Sequence, residues 1–152
     1  MYCTDLVALD LGHNYVTNED LEVFRYLPHL QILILADNEI TDISALRYLP
    51  ELRYVELFMN HIPDMSPLVG LKNLVDINIC RTQLEDITPL MSLTQAERLW
   101  FAVNGLTAKQ SWRVVQALPN CVCNYTAKDS TGEGWRDHER YDWVKSFFPD
   151  DP

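Results

Sequence analysis

The side chains best suited to recognising another molecule recur about every 22 residues along the chain. Aromatic residues, Met and Arg are enriched in the cores of protein interfaces, where a few of them usually carry most of the binding energy. We predict that Tyr54, Phe58 and Trp100 act as anchors and that nearby charges orient the partner. The whole predicted partner-binding set is Ile32, Ile34, Tyr54, Glu56, Phe58, Met59, Asp76, Asn78, Arg81, Arg98 and Trp100.

The same sequence lacks recognisable catalytic motifs. It contains no glycine-rich phosphate loop, no G-x-S-x-G and no H-E-x-x-H. The four histidines are scattered along the chain. Asp137, His138 and Glu139 are consecutive, and on a helix they would point in different directions, which disfavours a metal site. We therefore expect no enzymatic activity, no cofactor and no metal.

Composition narrows the classes of partner. The chain has 152 residues, about one ordinary domain, with 47% hydrophobic residues and a net charge of −10. This acidic balance disfavours nucleic acid as the main partner. No apolar run reaches the roughly 18 residues of a membrane span, and no secretory signal is recognisable. The cytoplasm is favoured unless an upstream signal has been removed. The four cysteines contain no C-x-x-C pair, which leaves zinc binding unsupported.

A repeat organises the chain into short strands. Five segments fit the pattern L-x-x-L-x-L-x-x-N with conservative departures, and a last strand follows them. In segments such as LQILILADN, the residues alternate with a period of two, so one face of each strand turns inward and the other outward. The recognition residues named above fall on the outward positions or at the loop edge. The segments start at Leu6, Leu30, Leu52, Leu74 and Ala96, and the last strand starts at Cys121.

These segments resemble the leucine-rich repeat family, in its short 22-residue class, from Leu6 to about Tyr125. The resemblance implies an α/β solenoid with a curved parallel sheet of five to six short strands. Short 3₁₀ or α segments would lie on its convex side. It also favours binding of a partner protein or peptide, without catalysis, on the concave face of the sheet.

Each predicted strand is followed by a polar turn residue. Buried asparagine amides at these positions can satisfy backbone groups where the chain leaves the sheet. Thr82 replaces asparagine in the fourth repeat, so we expect a weaker turn there. The asparagines are Asn14, Asn38, Asn60 and Asn104.

The second half of each repeat predicts a short helical turn. Ser44, Ser66 and Thr88 precede Ala or Pro, which favours a hydroxyl N-cap and a turn of 3₁₀ type. The longer segments Thr17–Leu27 and Thr107–Leu118 are predicted to be α-helices. Their expected core residues are Leu21, Phe24, Leu27, Trp112, Val115 and Leu118.

The C-terminal tail, residues 126–152, differs in composition from the repeats in residues 1–125. A polar loop leads into GWRDHERYDWVKSFF, in which Tyr141, Val144 and Phe148 share one helical face. This stretch resembles the tails of some bacterial repeat proteins. We expect it to fold back over the last strand as a cap, since a solenoid needs covered ends. The alternative is that the tail covers part of the concave face.

The first strand has no predicted cover. Leu6, Leu9 and Leu11 would lie in an exposed edge strand, which is an association hazard. We expect the natural protein to continue upstream of Met1, or the edge to pair with a second copy.

Three alternatives to partner binding on the concave face remain open. The chain could be a structural spacer or cap of a larger multidomain bacterial protein. The apolar outward residues could instead serve cross-strand packing. A carbohydrate or other ligand is the third possibility.

Overall fold

Six three-residue strands form one parallel sheet in the order in which they occur along the chain. The computed structural model describes residues 3–128, 130–132 and 134–149. The predicted solenoid of short parallel strands is confirmed. The strands are β1 (Ala8–Asp10), β2 (Ile32–Ile34), β3 (Tyr54–Glu56), β4 (Asp76–Asn78), β5 (Arg98–Trp100) and β6 (Val122–Asn124).

Strand register places equivalent residues of successive repeats side by side. Ile32 is opposite Tyr54, which is opposite Asp76, which is opposite Arg98. The 22-residue spacing in the sequence therefore becomes a row across the sheet. The central residue of each strand, such as Val55, points into the solenoid core, while its two neighbours point to the other face.

The apolar side chains form two separate clusters, one on each face of the sheet. The larger cluster is the solenoid core and contains the repeat leucines and isoleucines. The second cluster lies on the face that points away from this core, which we call the concave face. Because the tail contributes only to the second cluster, the solenoid core is formed without it.

Short helical segments connect the strands. Segments Asp20–Tyr26, Ser44–Tyr48 and Ser66–Leu68 are 3₁₀ helices. The prediction of an α-helix over Thr17–Leu27 was therefore wrong, although its apolar residues Leu21, Phe24 and Leu27 are buried. The α-helices are α1 (Thr88–Met91), α2 (Ala108–Ala117) and α3 (Glu139–Lys145). Among the described residues, no helix has the length and apolarity needed to cross a bilayer.

Helix α2 begins with a capping box, but its buried face differs from the predicted one. The Thr107 side chain accepts from the Gln110 backbone, and the Gln110 side chain accepts from the Thr107 backbone. The buried face of α2 consists of Ser111 and Val114, followed by Leu118. Trp112 is 54% exposed, because it lies one position away from that face. The prediction that Trp112 belongs to the core was therefore wrong.

Carboxylates, rather than hydroxyls, cap the repeat turns. The Ser44, Ser66 and Thr88 backbone amides donate to Asp42, Asp64 and Asp86, at 2.7, 2.8 and 2.8 Å. The predicted hydroxyl N-caps were wrong, because Ser44, Ser66 and Thr88 are the first residues of the helical segments and Ile43, Met65 and Ile87 occupy the N-cap positions. An aspartate two residues before the turn reaches its first amide more directly, and this hydrogen bond lowers the pKa of Asp86.

Asparagine amides join successive repeats. The Asn60 amide nitrogen donates to the carbonyls of Leu35 and Leu57, at 2.8 and 2.9 Å. Its carbonyl oxygen accepts from the Ile40 amide at 3.1 Å. Asn38 and Asn104 make equivalent bonds between their neighbouring repeats. One buried side chain thus satisfies backbone groups of two turns.

Thr82 changes the local turn in the fourth repeat. Its hydroxyl donates to the Ile79 carbonyl at 2.9 Å, but the Ile62 amide donates to the Thr82 backbone carbonyl instead of a side-chain oxygen. Gln83 as well as Arg81 has a positive φ, and so do Val103 and Gly105 at the equivalent positions of the fifth repeat. The difference at Thr82 is therefore that a backbone carbonyl takes the place of the asparagine oxygen as the acceptor for the Ile62 amide.

Replacing Asn60 by alanine is expected to destabilise the solenoid by about 2–4 kcal/mol. The substitution leaves two carbonyls and one amide without their buried partner, and each unsatisfied group costs about 1–3 kcal/mol. Urea unfolding followed by far-ultraviolet circular dichroism measures the change. The matched control is Asn14→Ala, because Asn14 occupies the same repeat position but is exposed. Equal losses in the two variants would contradict the buried ladder.

Candidate functional site

The concave face carries most of the predicted partner-binding residues in adjacent strands. The first and third residues of each strand from β2 to β5 point to this face. Because the strands pair in parallel register, these residues form two rows across the sheet. All of the predicted strand residues and Phe58 are buried, and only Met59 and Arg81 are exposed at the rim. The buried members are Ile32, Ile34, Tyr54, Glu56, Phe58, Asp76, Asn78, Arg98 and Trp100.

The C-terminal tail covers this surface. Ala127, Trp135, Tyr141 and Val144 pack in one cluster with the aromatic and apolar residues of β2 to β5. Phe148 and Trp143 pack against the edge of the same cluster. The expected position over the last strand is therefore not the one found, and the tail lies on the concave face as the alternative proposed. Residues 129, 133 and 150–152 of the tail lie outside the described residues.

Trp135 is the centre of this contact. Its side chain is 0% exposed, and its ring centroid lies 5.4 Å from that of Tyr54 and 5.2 Å from that of Trp100. The Arg98 guanidinium lies 4.5 Å from the same ring centroid, a cation–π geometry. The indole nitrogen donates to Glu56 Oε1 at 2.8 Å. The concave face thus contacts one indole through two aromatic rings, a guanidinium and a carboxylate at its polar edge.

Glu56 is a fully buried carboxylate whose hydrogen bonds come partly from the tail. Arg136 donates through Nε to Oε1 at 3.2 Å and through Nη2 to Oε2 at 2.5 Å. The Tyr54 hydroxyl and the Trp135 indole also donate to Oε1. This set of donors is what a buried carboxylate requires, because an unpaired charge would be strongly unfavourable away from water.

A second charged group lies one strand further along. Arg98 Nε donates to Asp76 Oδ1 at 2.7 Å, and Arg98 Nη1 donates to the carbonyls of Trp135 and Gly134, at 3.2 and 3.3 Å. Arg140 from α3 also reaches Asp76 Oδ1, at 3.2 Å, and pairs with Glu97 at the surface. Two arginines of the tail therefore meet two buried carboxylates of the sheet.

The buried charges shift the titration of their neighbours. Burial, together with the charge and hydrogen bond of Glu56, raises the pKa of the Tyr54 phenol well above its ordinary value. Tyr54 therefore stays neutral and remains a donor to Glu56. Burial alone would lower the pKa of Arg136, but its contacts with Glu56 raise that pKa above its ordinary value.

The rim beside the tail remains open. A cleft of about 460 Å³ is lined by Met59, Arg81, Lys128 and Arg136, among others. Met59 is 39% exposed and lies in a left-handed turn with φ of 59°. Arg81 occupies the same place in the next repeat and donates to the Lys128 carbonyl at 3.3 Å. Met59 and Arg81 are therefore the members of the predicted partner-binding set that an incoming molecule can reach.

Comparison with known proteins agrees with the repeat and the fold. Residues 4–62 match the family model described as "Leucine rich repeat". This match covers less than half of the chain, and the fold of the described residues is that of a leucine-rich repeat solenoid. Leucine-rich repeat proteins are typically protein-interaction modules and are generally not enzymes. No curated protein sequence matches the chain significantly.

Several solved bacterial structures share this leucine-rich repeat fold. An internalin (inlF) from Listeria monocytogenes is 24% identical, with a TM-score of 0.65, over 82% of this chain and 42% of that one. Internalin C2 (inlC2) of the same species is 22% identical, with a TM-score of 0.60, over 86% and 68%. A Leptospira interrogans leucine-rich repeat protein is 21% identical, with a TM-score of 0.63, over 80% and 38%.

These likenesses concern the fold of the chain and not its partner. The chain spans less than half the length of two of these three structures. Nothing in the fold alone identifies what is bound, since one fold serves many functions.

Sequence reasoning located the concave residues but missed their partners in the tail. Trp135, Arg136 and Arg140 lie in the segment GWRDHERYDWVKSFF, but none of them was among the residues that the sequence predicted to make contacts. A signal was present: the two arginines are four residues apart, and two carboxylates occupy outward positions of adjacent strands among aromatic rings. Carboxylates in such surroundings need cationic partners.

Proposed function

We propose that this chain is a non-catalytic protein-interaction module that binds a partner protein or peptide on its concave face. The observation that carries the proposal is that this face already holds a peptide segment, its own tail. The tail is held through tilted aromatic ring contacts, a cation–π contact and charged hydrogen bonds to side chains of β3, β4 and β5.

The predicted anchors are reachable only after the tail has moved. Tyr54, Phe58 and Trp100 lie beneath the tail, while Met59 and Arg81 border the open cleft. A partner would therefore meet the rim first and replace the tail afterwards. Intrachain contacts as polar as this one resemble those of transient interfaces, which supports an exchange of occupants.

Site-specific photo-crosslinking in the source organism tests the proposed face. A photoreactive amino acid is placed at Met59 on the rim, or at Trp112 on the opposite side of the solenoid, which is also exposed. We expect a distinct crosslinked partner from Met59 and none from Trp112. Crosslinks from Trp112 with none from Met59 would show that the partner binds elsewhere.

A structural spacer or cap within a larger protein is the second candidate function. The complete burial of Trp135 favours it, because a permanent cap would bury its largest side chain in this way. The two functions predict different crosslinking results when the contact between the tail and the concave face is weakened. A binding face gains crosslinks at Met59 when Trp135 is replaced by alanine, whereas a purely structural cap gains none.

A further inference from the structure

We propose that the concave face is selective for one kind of partner segment: a tryptophan followed directly by an arginine, with a second arginine four residues after the first. In this inference, which rests on the proposed function, the tail is the intramolecular occupant of the site. A partner segment with the same cationic and aromatic chemistry would replace it.

The acidic residues of the concave face define where cations must sit. Glu56 and Asp76 are buried on neighbouring strands, Glu56 at the last position of β3 and Asp76 at the first position of β4, beside the aromatic floor formed by Tyr54 and Trp100. Arg98, on the neighbouring strand β5, compensates the charge of Asp76. The charge opposite Glu56 is supplied by Arg136 of the tail. Any segment that replaces the tail therefore has to bring an arginine to this point, since an unpaired buried carboxylate is strongly unfavourable.

The aromatic slot selects tryptophan rather than another ring. Tyr54 and Trp100 both lie in ring contact with the Trp135 indole, and Glu56 accepts from its nitrogen. Phenylalanine would fill the slot without a donor, leaving Glu56 one hydrogen bond short. Sites built to receive a hydrogen bond discriminate strongly against analogues that lack the donor.

The second arginine adds a requirement for the spacing between the two arginines of a segment that the concave face would select. Arg140 lies four residues after Arg136 and bridges Asp76 and Glu97 from helix α3. Arg136 lies in the turn before α3, whereas Arg140 is the second residue of α3. A segment bound in the same way would therefore place its first arginine in a turn and its second arginine at the start of a helix.

The tail leaves part of the site unused, which gives a partner room to compete. Arg98 Nη2 and Trp100 Nε1 are buried and have no hydrogen-bond partner among the described residues. Both donors belong to the concave face. A partner segment that also presents an oxygen acceptor at these two atoms would make contacts that the tail does not make. The described part of the tail adds no strand to the six-stranded sheet, so its exchange breaks no strand pairing.

A labelled peptide tests the selectivity. The probe is a fluorescein-labelled peptide with the sequence of residues 134–149, added to the full chain. In one chain the tail is loosened by the double substitution Trp135→Ala and Arg136→Ala. We expect fluorescence anisotropy to show saturable binding to the loosened chain, and binding at least about tenfold weaker to the unaltered chain, whose own tail competes at high effective concentration.

Two controls make the result specific. A peptide in which the tryptophan and the first arginine are alanines should bind about tenfold or more weakly, because it lacks both anchors. Glu56→Gln in the loosened chain should reduce affinity for the original peptide by a similar factor. Asp64→Asn, at an exposed turn of the convex side, should leave the affinity unchanged. Equal binding of the two peptides, or no binding to a folded loosened chain, would overturn the inference.

A milder variant covers the case in which the loosened chain does not fold. Arg140→Ala removes only the second arginine, on the partly exposed side of the contact. We expect hydrogen–deuterium exchange in residues 135–148 of this variant to rise when excess peptide is added. No rise would overturn the inference. If Met59 still crosslinks a partner while the peptide fails, the proposed function survives and only its selectivity is wrong.

Discussion

Replacing Trp135 by alanine is expected to release the C-terminal tail while the solenoid stays folded. The side chain is fully buried and packs against Tyr54 and Trp100, so the substitution removes this packing and leaves a cavity. Truncation of a buried tryptophan typically costs about 3–5 kcal/mol. Since Trp135 belongs to the concave cluster and not to the solenoid core, this cost falls on docking of the tail.

Limited trypsin digestion followed by mass spectrometry measures this release. Cleavage after Arg136, Arg140 and Lys145 should be slow in the unaltered chain and fast in the variant. The far-ultraviolet circular dichroism of the two proteins should remain nearly the same. Trp112→Ala is the matched control, because the same side chain is removed at a position that is 54% exposed, where substitutions usually change stability by less than about 0.5 kcal/mol. Loss of all structure in the Trp135 variant would show instead that the tail is part of the folding unit.

The repeat made the solenoid predictable from the sequence. The repeat has a period near 22 residues, and inward leucines alternate along each strand. Together these two features determine where β1 to β6 lie and how they pair. The buried asparagines follow from the same constraint, because each turn leaves backbone groups that need a partner. These features are local or repeat at a constant interval, and periodicity reports such features well.

The helical type of the connections was less predictable. The segment Thr17–Leu27 has apolar residues at helical spacing, but the same residues also fit the 3₁₀ helix Asp20–Tyr26. Spacings of three residues satisfy both geometries, and packing against the neighbouring repeat decides between them. Trp112 shows the same limit, since a rotation of one position along α2 exchanges it for Ser111 on the buried face.

The place of the tail depended on contacts between distant parts of the chain. Either the last strand or the concave face could have received the apolar side of α3. Arg136 pairs with Glu56 across 80 residues, and Arg140 with Asp76 across 64. No pattern among neighbouring residues in the sequence indicates that two residues so far apart form an ion pair. Strand alternation did predict that Glu56 and Asp76 point away from the core, but not that the tail covers them.

Arg136→Gln is expected to loosen the tail by about 3–5 kcal/mol, because it leaves Glu56 as a buried carboxylate without its countercharge. Glu56→Gln should cost less, since the amide oxygen still accepts from the Trp135 indole. When both substitutions are combined, the unpaired charge is absent, so their costs should not add. Hydrogen–deuterium exchange in residues 135–148 gives the docking free energy for each member of this double-mutant cycle.

The coupling energy between Glu56 and Arg136 should lie between about 1 and 3 kcal/mol. The exposed pair Glu22 and Arg25 is the control, with an expected coupling below about 1 kcal/mol in urea unfolding of the solenoid. If the Glu56–Arg136 coupling is as small as that of the control, aromatic packing alone holds the tail. The concave face would then have no basis for preferring arginine beside its tryptophan, because the carboxylate would not distinguish a charged neighbour from a neutral one.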